Sequence, residues 1–353
     1  MSFDSGCNLC PRRCRVNRNA GERGFCGQTS DMRISRAALH FWEEPCISGT
    51  RGSGTVFFTG CNLGCVYCQN AAISRSGFAG SSAGSVKRRM DESDGTAERC
   101  ALRINGKDRA VEKGVFRTPD ELAEIFLDLQ AQGAHNINLV TPTHFLPGIR
   151  DALERAKDAG LSIPVVYNCG GYEDTDALRS LEGLVDVWLP DCKYHSDETA
   201  VRLSNAPGYY GICLSAIREM LRQSGEPVFA DQTGEGRYTA EEYNALCGEE
   251  ADDYRGPVMV KGVIVRHLVL PGQYADSERV IRGLYEAFGD SVYISLMSQY
   301  TPMPAVSDIP ALNRRIDLKA YDRLVDLCSR LGITNCFFQG GDVAEESFIP
   351  EFC

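Results

Sequence analysis

Three cysteines, Cys61, Cys65 and Cys68, lie close together in the first quarter of the chain. They follow a short apolar run, Thr55–Phe58, whose β-branched and aromatic residues predict a buried strand that ends in a loop. Such a loop can bring three thiolates to one metal centre, and thiolates suit iron–sulfur clusters or zinc. Three thiolates would leave one iron of a [4Fe–4S] cluster without a protein ligand, which is the open site that catalytic metals use.

The spacing Cys-x3-Cys-x2-Cys after a strand resembles the signature of the radical S-adenosylmethionine (SAM) enzymes. Tyr67, the aromatic residue before the third cysteine, fits the same pattern. A zinc-binding turn with a remote fourth ligand is the alternative. We therefore predict an oxygen-sensitive [4Fe–4S] cluster on Cys61, Cys65 and Cys68.

A second group of cysteines, Cys7, Cys10, Cys14 and Cys26, lies near the beginning of the chain. Four thiolates would close a coordination sphere, so this group predicts a structural or electron-relaying centre. Zinc is slightly favoured by the spacing of the first pair, and an auxiliary [4Fe–4S] cluster fits the short second gap. The alternative is a loosely ordered arm with free cysteines. We expect residues 1–45 to form a Cys-rich, metal-binding extension.

Composition limits the classes of function. The chain has 353 residues, of which 43% are hydrophobic, and a net charge of −11. An acidic chain argues against a nucleic-acid partner. No apolar run reaches the length of a membrane span, and the first residues lack the features of a secretory signal. Sixteen cysteines in such a chain suggest metal sites in a reducing compartment, so we expect a cytoplasmic protein without a membrane partner.

Residues 46–353 are predicted to form one α/β domain with an inserted loop at about 74–117. The insert is rich in Gly, Ser, Arg and Asp, and a hairpin around Asn105-Gly106 could form inside it. After it, Thr118 begins a capping box, which predicts a helix to about Gln132. Strands and helices then alternate, and six or seven such units predict a partial or full TIM-type (β/α) barrel. An open doubly wound sheet is the alternative. The predicted later strands are Asn136–Val140, Ile163–Tyr167, Val185–Leu189, Val258–Leu270, Val292–Met297 and Thr334–Phe338.

Polar or ionisable residues follow six of the predicted strands, where both architectures place an active site. Glu43 and Glu44 precede the first strand, and a solvated face is the favoured interpretation for such a pair of charges. His40 is expected to be packed rather than to bind a metal. The six strand ends carry the cysteine loop, Thr141-Pro142-Thr143-His144, Asn168-Cys169-Gly170-Gly171-Tyr172, Asp191-Cys192-Lys193-Tyr194-His195, Arg266-His267 and Ser298-Gln299-Tyr300.

The whole pattern resembles the pyruvate formate-lyase activating enzymes, and more closely a branch of their uncharacterised homologues. The resemblance covers nearly the whole chain except residues 74–117. Its motifs are the N-terminal Cys-x2-Cys-Pro-Arg-x-Cys, Glu43-Glu44-Pro45, Gly52-Ser53-Gly54-Thr55, the cysteine loop with Gln69-Asn70, Asn136–His144, Leu189–Tyr194, Arg266–Gly272 and Leu296–Tyr300.

This resemblance implies a chemistry. In such enzymes the open iron of a reduced [4Fe–4S] cluster chelates SAM, and electron transfer yields methionine and a 5′-deoxyadenosyl radical that abstracts a hydrogen atom. It also implies an electron donor of the flavodoxin or ferredoxin type. The substrate would be a glycine of a partner glycyl radical enzyme, or a small molecule or peptide. A metal-binding accessory protein without turnover is a further alternative.

The resemblance also implies a set of SAM-binding residues. Asp191 and Lys193 match an Asp-x-Lys that faces SAM, with Lys193 near its carboxylate, and Asn168 would bond a hydroxyl or the carboxylate. The family's Gly-Gly-Glu segment is replaced here by Thr141-Pro142-Thr143, so that contact would have to be rebuilt, for example with Thr141. Arg266 and His267 would line the same cavity nearer the substrate, and Tyr67 would lie beside the cofactor. Two polar segments, 74–117 and 226–256, are expected to surround the opening.

Overall fold

The computed structural model of the chain describes residues 6–74, 99–104, 107–112, 114–246 and 254–339. These ranges contain a large mixed sheet and a separate two-stranded hairpin. The strands are β1 (Arg33–His40), β2 (Ser53–Phe58), β3 (Arg99–Ile104), β4 (Lys107–Glu112), β5 (Val115–Phe116), β6 (Ile137–Val140), β7 (Val165–Cys169), β8 (Val187–Pro190), β9 (Val228–Ala230), β10 (Arg237–Thr239), β11 (Val258–Leu268), β12 (Tyr293–Met297) and β13 (Cys336–Phe338).

Seven strands pair in parallel in the order β2-β6-β7-β8-β11-β12-β13. In the described ranges no pairing joins β2 to β13, so the sheet is a partial α/β barrel. This confirms the predicted fold class, a partial (β/α) barrel preceded by a Cys-rich N-terminal segment. Every residue of β2, β6, β7 and β8 is buried, as expected for parallel strands covered on both faces.

Helices cover the outer face of the sheet, and the buried side of each packs against the strands. The helix α3 begins with the predicted capping box, in which Thr118 accepts from the backbone N–H of Glu121 and Glu121 bonds back to Thr118. None of the described helices is long and apolar enough to cross a membrane. The helices are α1 (Pro45–Ser48), α2 (Ala71–Ser74), α3 (Pro119–Ala131), α4 (Leu146–Asp158), α5 (Thr175–Arg179), α6 (Asp197–Ser204), α7 (Tyr209–Ser224), α8 (Ala240–Leu246), α9 (Tyr274–Phe288) and α10 (Leu318–Leu331).

The sheet begins earlier than the sequence predicted. Strand β1 pairs antiparallel with β2, and β5 adds antiparallel to β1. Residues 33–40, which precede position 46, therefore belong to the same sheet as the barrel. The hairpin predicted inside the insert is confirmed as the pair β3–β4, whereas its turn and residues 75–98 lie outside the described residues.

The expectation that the stretch 226–256 borders the cavity opening is wrong for its described part. Strands β9 and β10 form a hairpin that pairs with the first residues of β11, from Val258 to Lys261. This is the amino end of a barrel strand, opposite the end where loops meet the cavity. The polar composition hid a strand, β9, whose Phe229 stacks on Tyr243 with ring centroids 3.8 Å apart.

Candidate active site

One cavity opens at the carboxyl ends of the parallel strands. It brings together residues from the ends of β2, β6, β7, β8, β11 and β12, as predicted for this fold. The side chains around it include both charged and apolar groups. Its lining consists of His40, Trp42, Glu43, Phe57, Cys61, Leu63, Cys65, Tyr67, Cys68, Gln69, Asn70, Ser74, Val140, Thr141, Asn168, Cys169, Gly170, Asp191, Lys193, Arg266, Leu268, Met297 and Gln299.

The cysteine loop rests on the last turn of α6. The backbone N–H of Gly64 donates to the carbonyl of Ser204 at 3.0 Å, and that of Val66 donates to Leu203 at 2.9 Å. Carbonyls at a helix C-terminus have no partner within the helix, so α6 offers acceptors that hold the loop. Asn205 ends this helix in the left-handed conformation, with φ 50°. Helix α6 was not predicted from the sequence, although Ser196 is a good N-cap and Asn205 is a suitable residue to end a helix.

Each of the three sulfurs has a hydrogen-bonding neighbour. Cys61 Sγ accepts from the backbone N–H of Leu63 at 3.3 Å, and Cys65 Sγ accepts from the hydroxyl of Ser204 at 2.9 Å. Cys68 Sγ lies 3.2 Å from the hydroxyl of Ser74. Such donors stabilise sulfur that carries negative charge, which is the form that binds iron.

The three thiols share one cavity. A [4Fe–4S] cluster binds each thiolate to a different iron, so its ligands surround a shared space. Cys61, Cys65 and Cys68 line such a space together, and thiolate donors are those that iron–sulfur clusters use.

Without a metal, burial keeps two of these thiols protonated. Burial raises the pKa of Cys61 and Cys65 above the usual thiol range, and neighbouring thiols add to it. The Lys193 ammonium opposes this shift at both residues. Metal coordination deprotonates a thiol outright, so the desolvated thiols would release their protons when iron binds.

A buried chain of charges forms the polar wall of the cavity. Arg266 donates from Nε to Asp191 Oδ1 at 3.0 Å and from Nη1 to Glu43 Oε2 at 3.1 Å. Its remaining nitrogen donates to Asn168 Oδ1, and Lys193 Nζ pairs with the other oxygen of Asp191. The side chains of Arg266 and Glu43 are only 12% and 10% exposed, so both charges depend on their partners.

The pKa shifts agree with this pairing. Burial alone would raise the pKa of Asp191, but Lys193 and Arg266 hold it below its ordinary value. Burial would lower the pKa of Lys193, whereas Asp191 and Cys65 raise it above the usual range. Asp191 is therefore ionised and Lys193 protonated at neutral pH.

The prediction that Glu43 and Glu44 form a solvated face is wrong. Glu43 accepts from Arg266 and from the amides of Asn138 and Asn168, at 2.9 and 3.2 Å. Glu44 is 9% exposed, and burial raises the pKa of its carboxyl. The pair is buried because the segment that connects β1 to the short helix α1 brings Glu43 against side chains of β6, β7 and β11. The charge pattern could not reveal this placement.

Two further expected residues stand at the cavity. Asn168 lies at the end of β7 and uses its side chain to join Glu43 to Arg266. Thr141 follows β6 with a φ of 58°, an uncommon conformation for a β-branched residue. Its backbone N–H donates to the carbonyl of Asn168 at 2.9 Å. Strain of about 1–3 kcal/mol at such a position is typical of functional sites.

Tyr67 lines the cavity as expected, whereas Thr143 and His267 stand elsewhere. Thr143 is buried and donates to Glu173 at 2.9 Å. His267 Nδ1 lies 2.7 Å from the carbonyl of Cys192, and the ring is buried outside the lining. The alternation of a strand explains His267, because Arg266 points into the barrel and its successor must point away.

The N-terminal cysteines form a separate group beneath the cysteine loop. Cys7, Cys10 and Cys26 are buried and Cys14 is partly exposed. Two backbone bonds, between Cys7 and Val16 and from residue 15 back to Cys7, close the segment into a hairpin. The four thiols influence one another electrostatically, and burial raises the pKa of Cys10 and Cys26.

Arg12 connects the two cysteine groups. Its Nε donates to the carbonyl of Asn62 at 2.8 Å, and its Nη1 donates to the carbonyl of Asn205. The guanidinium also lies over the ring of Phe25, 3.7 Å from the centroid. Asn62 is held from its other side, because its amide donates to the carbonyl of Tyr172 at 2.6 Å.

Sequence reasoning missed several residues of this site. Glu43 was assigned to the surface, and Arg12, Ser204 and Glu173 were not singled out. Glu173 is 2% exposed and accepts from Thr143 and from Tyr167 at 3.2 Å. Arg12 lies inside the Cys-Pro-Arg motif, so its position was a usable signal, whereas Ser204 and Glu173 carry none.

A protein-family model matches part of the chain. The sequence model of the Radical SAM superfamily matches residues 55–222, the part of the chain that contains the cysteine loop and Asp191-x-Lys193. A curated relative, Uncharacterized protein MJ0674 of Methanocaldococcus jannaschii, is 26% identical over 329 residues. This alignment covers 93% of the present chain and 75% of the relative.

Solved structures with a similar fold include SuiB from Streptococcus suis. The structure of SuiB bound to S-adenosylmethionine matches with a TM-score of 0.44 and 10% identity, covering 80% of this chain and 49% of SuiB. SuiB bound to precursor peptide SuiA matches with a TM-score of 0.42 and 11% identity, covering 79% and 46%. The chain thus spans about half the length of SuiB. Methylornithine synthase, PylB, gives a TM-score of 0.38 at 14% identity, covering 65% of this chain and 66% of PylB.

Proposed function

We propose that this chain, whose residues 55–222 match the Radical SAM superfamily, uses Cys61, Cys65 and Cys68 to hold a [4Fe–4S] cluster at which SAM is cleaved reductively. The observation that carries the proposal is the convergence of three thiols and a buried wall of paired charges on one cavity. When bound, the cluster and SAM together supply a 5′-deoxyadenosyl radical that abstracts a hydrogen atom from a substrate.

The charged residues are suited to hold SAM. Lys193 lines the cavity and keeps its positive charge through its pair with Asp191. An ammonium has three N–H donors, so Lys193 can bind an amino acid carboxylate as well as Asp191. Asp191 fixes both cations, so we assign it a positioning role, whereas Lys193 would contact the carboxylate. Asn168 and the backbone at Thr141 offer hydrogen-bonding groups on the same side.

The apolar lining would protect a radical from water. Leu63, Val140 and Phe57 also line the cavity, and Leu63 is 6% exposed. Excluding water strengthens the electrostatic contacts inside the site and prevents side reactions. The site therefore combines ionic recognition with a dry reaction volume.

The test is reductive cleavage of SAM after anaerobic reconstitution with iron and sulfide. With dithionite and SAM, the native chain should release 5′-deoxyadenosine and methionine. The variant C61A/C65A/C68A should release none, because no thiolate would remain to bind the cluster. A matched variant of a buried cysteine far from the cavity, Cys328→Ala, should keep the activity. Reductive cleavage by the triple variant at the native rate would refute the assignment.

For the substrate, we propose a segment of a polypeptide, such as a glycine-containing loop of a partner glycyl radical enzyme. Trp42 lies at the cavity and is 57% exposed, and the adjacent Phe41 is 51% exposed. Aromatic side chains exposed beside a cavity are typical of sites where another chain binds. A small molecule or free peptide is the alternative, and an accessory protein without turnover is not favoured.

Transfer of deuterium from the substrate to 5′-deoxyadenosine distinguishes a polypeptide substrate from a small molecule. The reduced protein would be incubated with SAM and with either the protein fraction or the small-molecule fraction of deuterium-labelled cells. Deuterium in 5′-deoxyadenosine from the protein fraction supports a polypeptide substrate, and Trp42→Ala should lower that transfer while sparing cleavage without substrate. Transfer from the small-molecule fraction alone would overturn this choice.

We also propose that Cys7, Cys10, Cys14 and Cys26 bind a second metal, either structural zinc or an auxiliary [4Fe–4S] cluster. Four cysteines, three of them buried, offer a full set of thiolate ligands without an open position. Metal analysis decides between the two. About four irons with one zinc per chain supports zinc, about eight irons supports a second cluster, and four irons alone would contradict the proposal.

A further inference from the structure

We propose that the hydroxyl of Ser204, oriented by Tyr194 and Tyr67, raises the reduction potential of the cluster through Cys65. This inference rests on the proposed function, since it requires a cluster on the cysteine loop. Hydrogen bonds to cluster sulfurs are among the factors that set the potential of iron–sulfur centres. Ser204 would act as a positioning and tuning residue without touching SAM.

The three hydroxyls form a continuous buried chain that ends on sulfur. Tyr67 and Tyr194 place their oxygens 2.5 Å apart, and Tyr194 lies 2.6 Å from Ser204 Oγ. Ser204 then donates to Cys65 Sγ at 2.9 Å. The three residues are 5%, 1% and 0% exposed, so water does not compete for these groups.

The direction of these hydrogen bonds follows from the last acceptor, Cys65 Sγ. A thiolate bound to iron can only accept, so Ser204 must use its single proton on Cys65. The oxygen of Ser204 then accepts from Tyr194, and the oxygen of Tyr194 accepts from Tyr67. Successive donors polarise one another, which strengthens the bond that reaches the sulfur.

Such a donor favours the reduced cluster. Reduction adds negative charge that is shared with the thiolates, and a hydrogen bond to an ionised acceptor is stronger than one to a neutral acceptor. The oxidised form gains less from the same donor, so its presence makes reduction easier. A donor buried away from water exerts this effect in a medium of low dielectric.

Ser204 also has a structural role that can be separated from its hydroxyl. Its backbone carbonyl accepts from Gly64, and Ser204→Ala leaves that bond in place. A matched control is Ser224→Ala, which removes another buried helical hydroxyl, bonded to the carbonyl of Met220 at 3.0 Å and absent from the cavity lining. Tyr194→Phe removes the donor to Ser204 and leaves the contact with sulfur.

The experiment is a redox titration of the reconstituted holoprotein without SAM, followed by EPR of the reduced cluster. We expect Ser204→Ala to lower the potential, so that the reduced-to-oxidised ratio at a fixed potential falls about fivefold, for loss of one hydrogen bond of about 1 kcal/mol. At 59 mV per factor of ten for one electron, this is a shift of about 40 mV. Tyr194→Phe should give a smaller shift in the same direction, and Ser224→Ala none.

The outcomes separate this inference from the proposed function. A native chain that binds no cluster would refute the proposed function itself. A native cluster with an unchanged potential in Ser204→Ala would overturn only the tuning role. If Ser204→Ala fails to hold a cluster, Tyr194→Phe decides, because an unchanged potential there would overturn the inference and a lowered one would support it.

Discussion

The two cysteine groups lie in different surroundings. Cys61, Cys65 and Cys68 stand at the carboxyl ends of the strands, beside a buried wall of charges and facing a cavity. The N-terminal group lies in a hairpin closed by its own backbone bonds, and three of its four thiols are buried. The residues that surround a thiol, rather than the spacing of cysteines in the sequence, therefore decide whether a bound metal would have room for a further ligand.

Among the residues that line the cavity, we expect replacement of Arg266 to cause the largest loss of stability and activity. Replacing it by Gln would leave Glu43 and Asp191 without their shared cation in a largely buried site. Removing one partner of a buried ion pair typically costs about 3–5 kcal/mol. We expect a loss of that size in the free energy of unfolding, measured with urea, together with loss of SAM cleavage.

The matched control is Arg150→Gln, which breaks a pair with Glu154 whose side chains are both 47% exposed. An exposed pair of this kind contributes about 0–1 kcal/mol. Equal losses in the two variants would show that the charged wall is no more important than the surface.

The next prediction concerns Glu173, a buried carboxyl that accepts hydrogen bonds from Thr143 and Tyr167. Burial raises the pKa of Glu173 from 4.5 to about 8, although Thr143 and Tyr167 partly oppose the shift. Since the folded chain then holds a proton that the unfolded chain has lost, its contribution to stability is full below pH 4.5. That contribution is lost as the pH rises towards about 8.

Glu173→Gln mimics the protonated carboxyl at every pH. The stability of the native chain minus that of this variant should therefore fall between these two pH values, by up to about 1.4 kcal/mol per pH unit. Urea unfolding of both proteins across this range measures the difference. A difference that stays flat would mean that Glu173 is ionised in the folded chain.

The smallest predicted effect concerns the contact between the two groups. Arg12→Ala removes the donor to Asn62 and Asn205 and the packing on Phe25. We expect cluster absorbance to decay several-fold faster in air, because the loop becomes more mobile, while anaerobic SAM cleavage remains. Arg13→Ala is the control, since the Arg13 side chain is 67% exposed and pairs with Asp174. Equal decay in both variants would contradict a clamp by Arg12.

The sequence predicted the parts of this site that depend on order along the chain. The strand before Cys61, the capping box at Thr118 and the alternation of strands and helices were visible as local patterns. The meeting of strand ends followed from parallel topology. Asp191, Lys193 and Arg266 could therefore be placed at one cavity.

The remaining contacts join residues far apart in sequence. Glu43 lies 223 positions from Arg266, and Ser204 lies 139 positions from Cys65. Nothing local distinguishes Glu43 from a surface carboxylate, because its burial results from contacts with Asn138, Asn168 and Arg266 on other strands. The positions of these residues are set by tertiary packing rather than by local propensity.

The most direct test of the central claim is EPR of the dithionite-reduced holoprotein with and without SAM. We predict a [4Fe–4S]⁺ signal that changes when SAM is added, because one iron would lack a protein ligand. In C61A/C65A/C68A no SAM-dependent signal should remain, even if the N-terminal cysteines hold a cluster of their own. A SAM-dependent signal that survives in this variant would contradict the account.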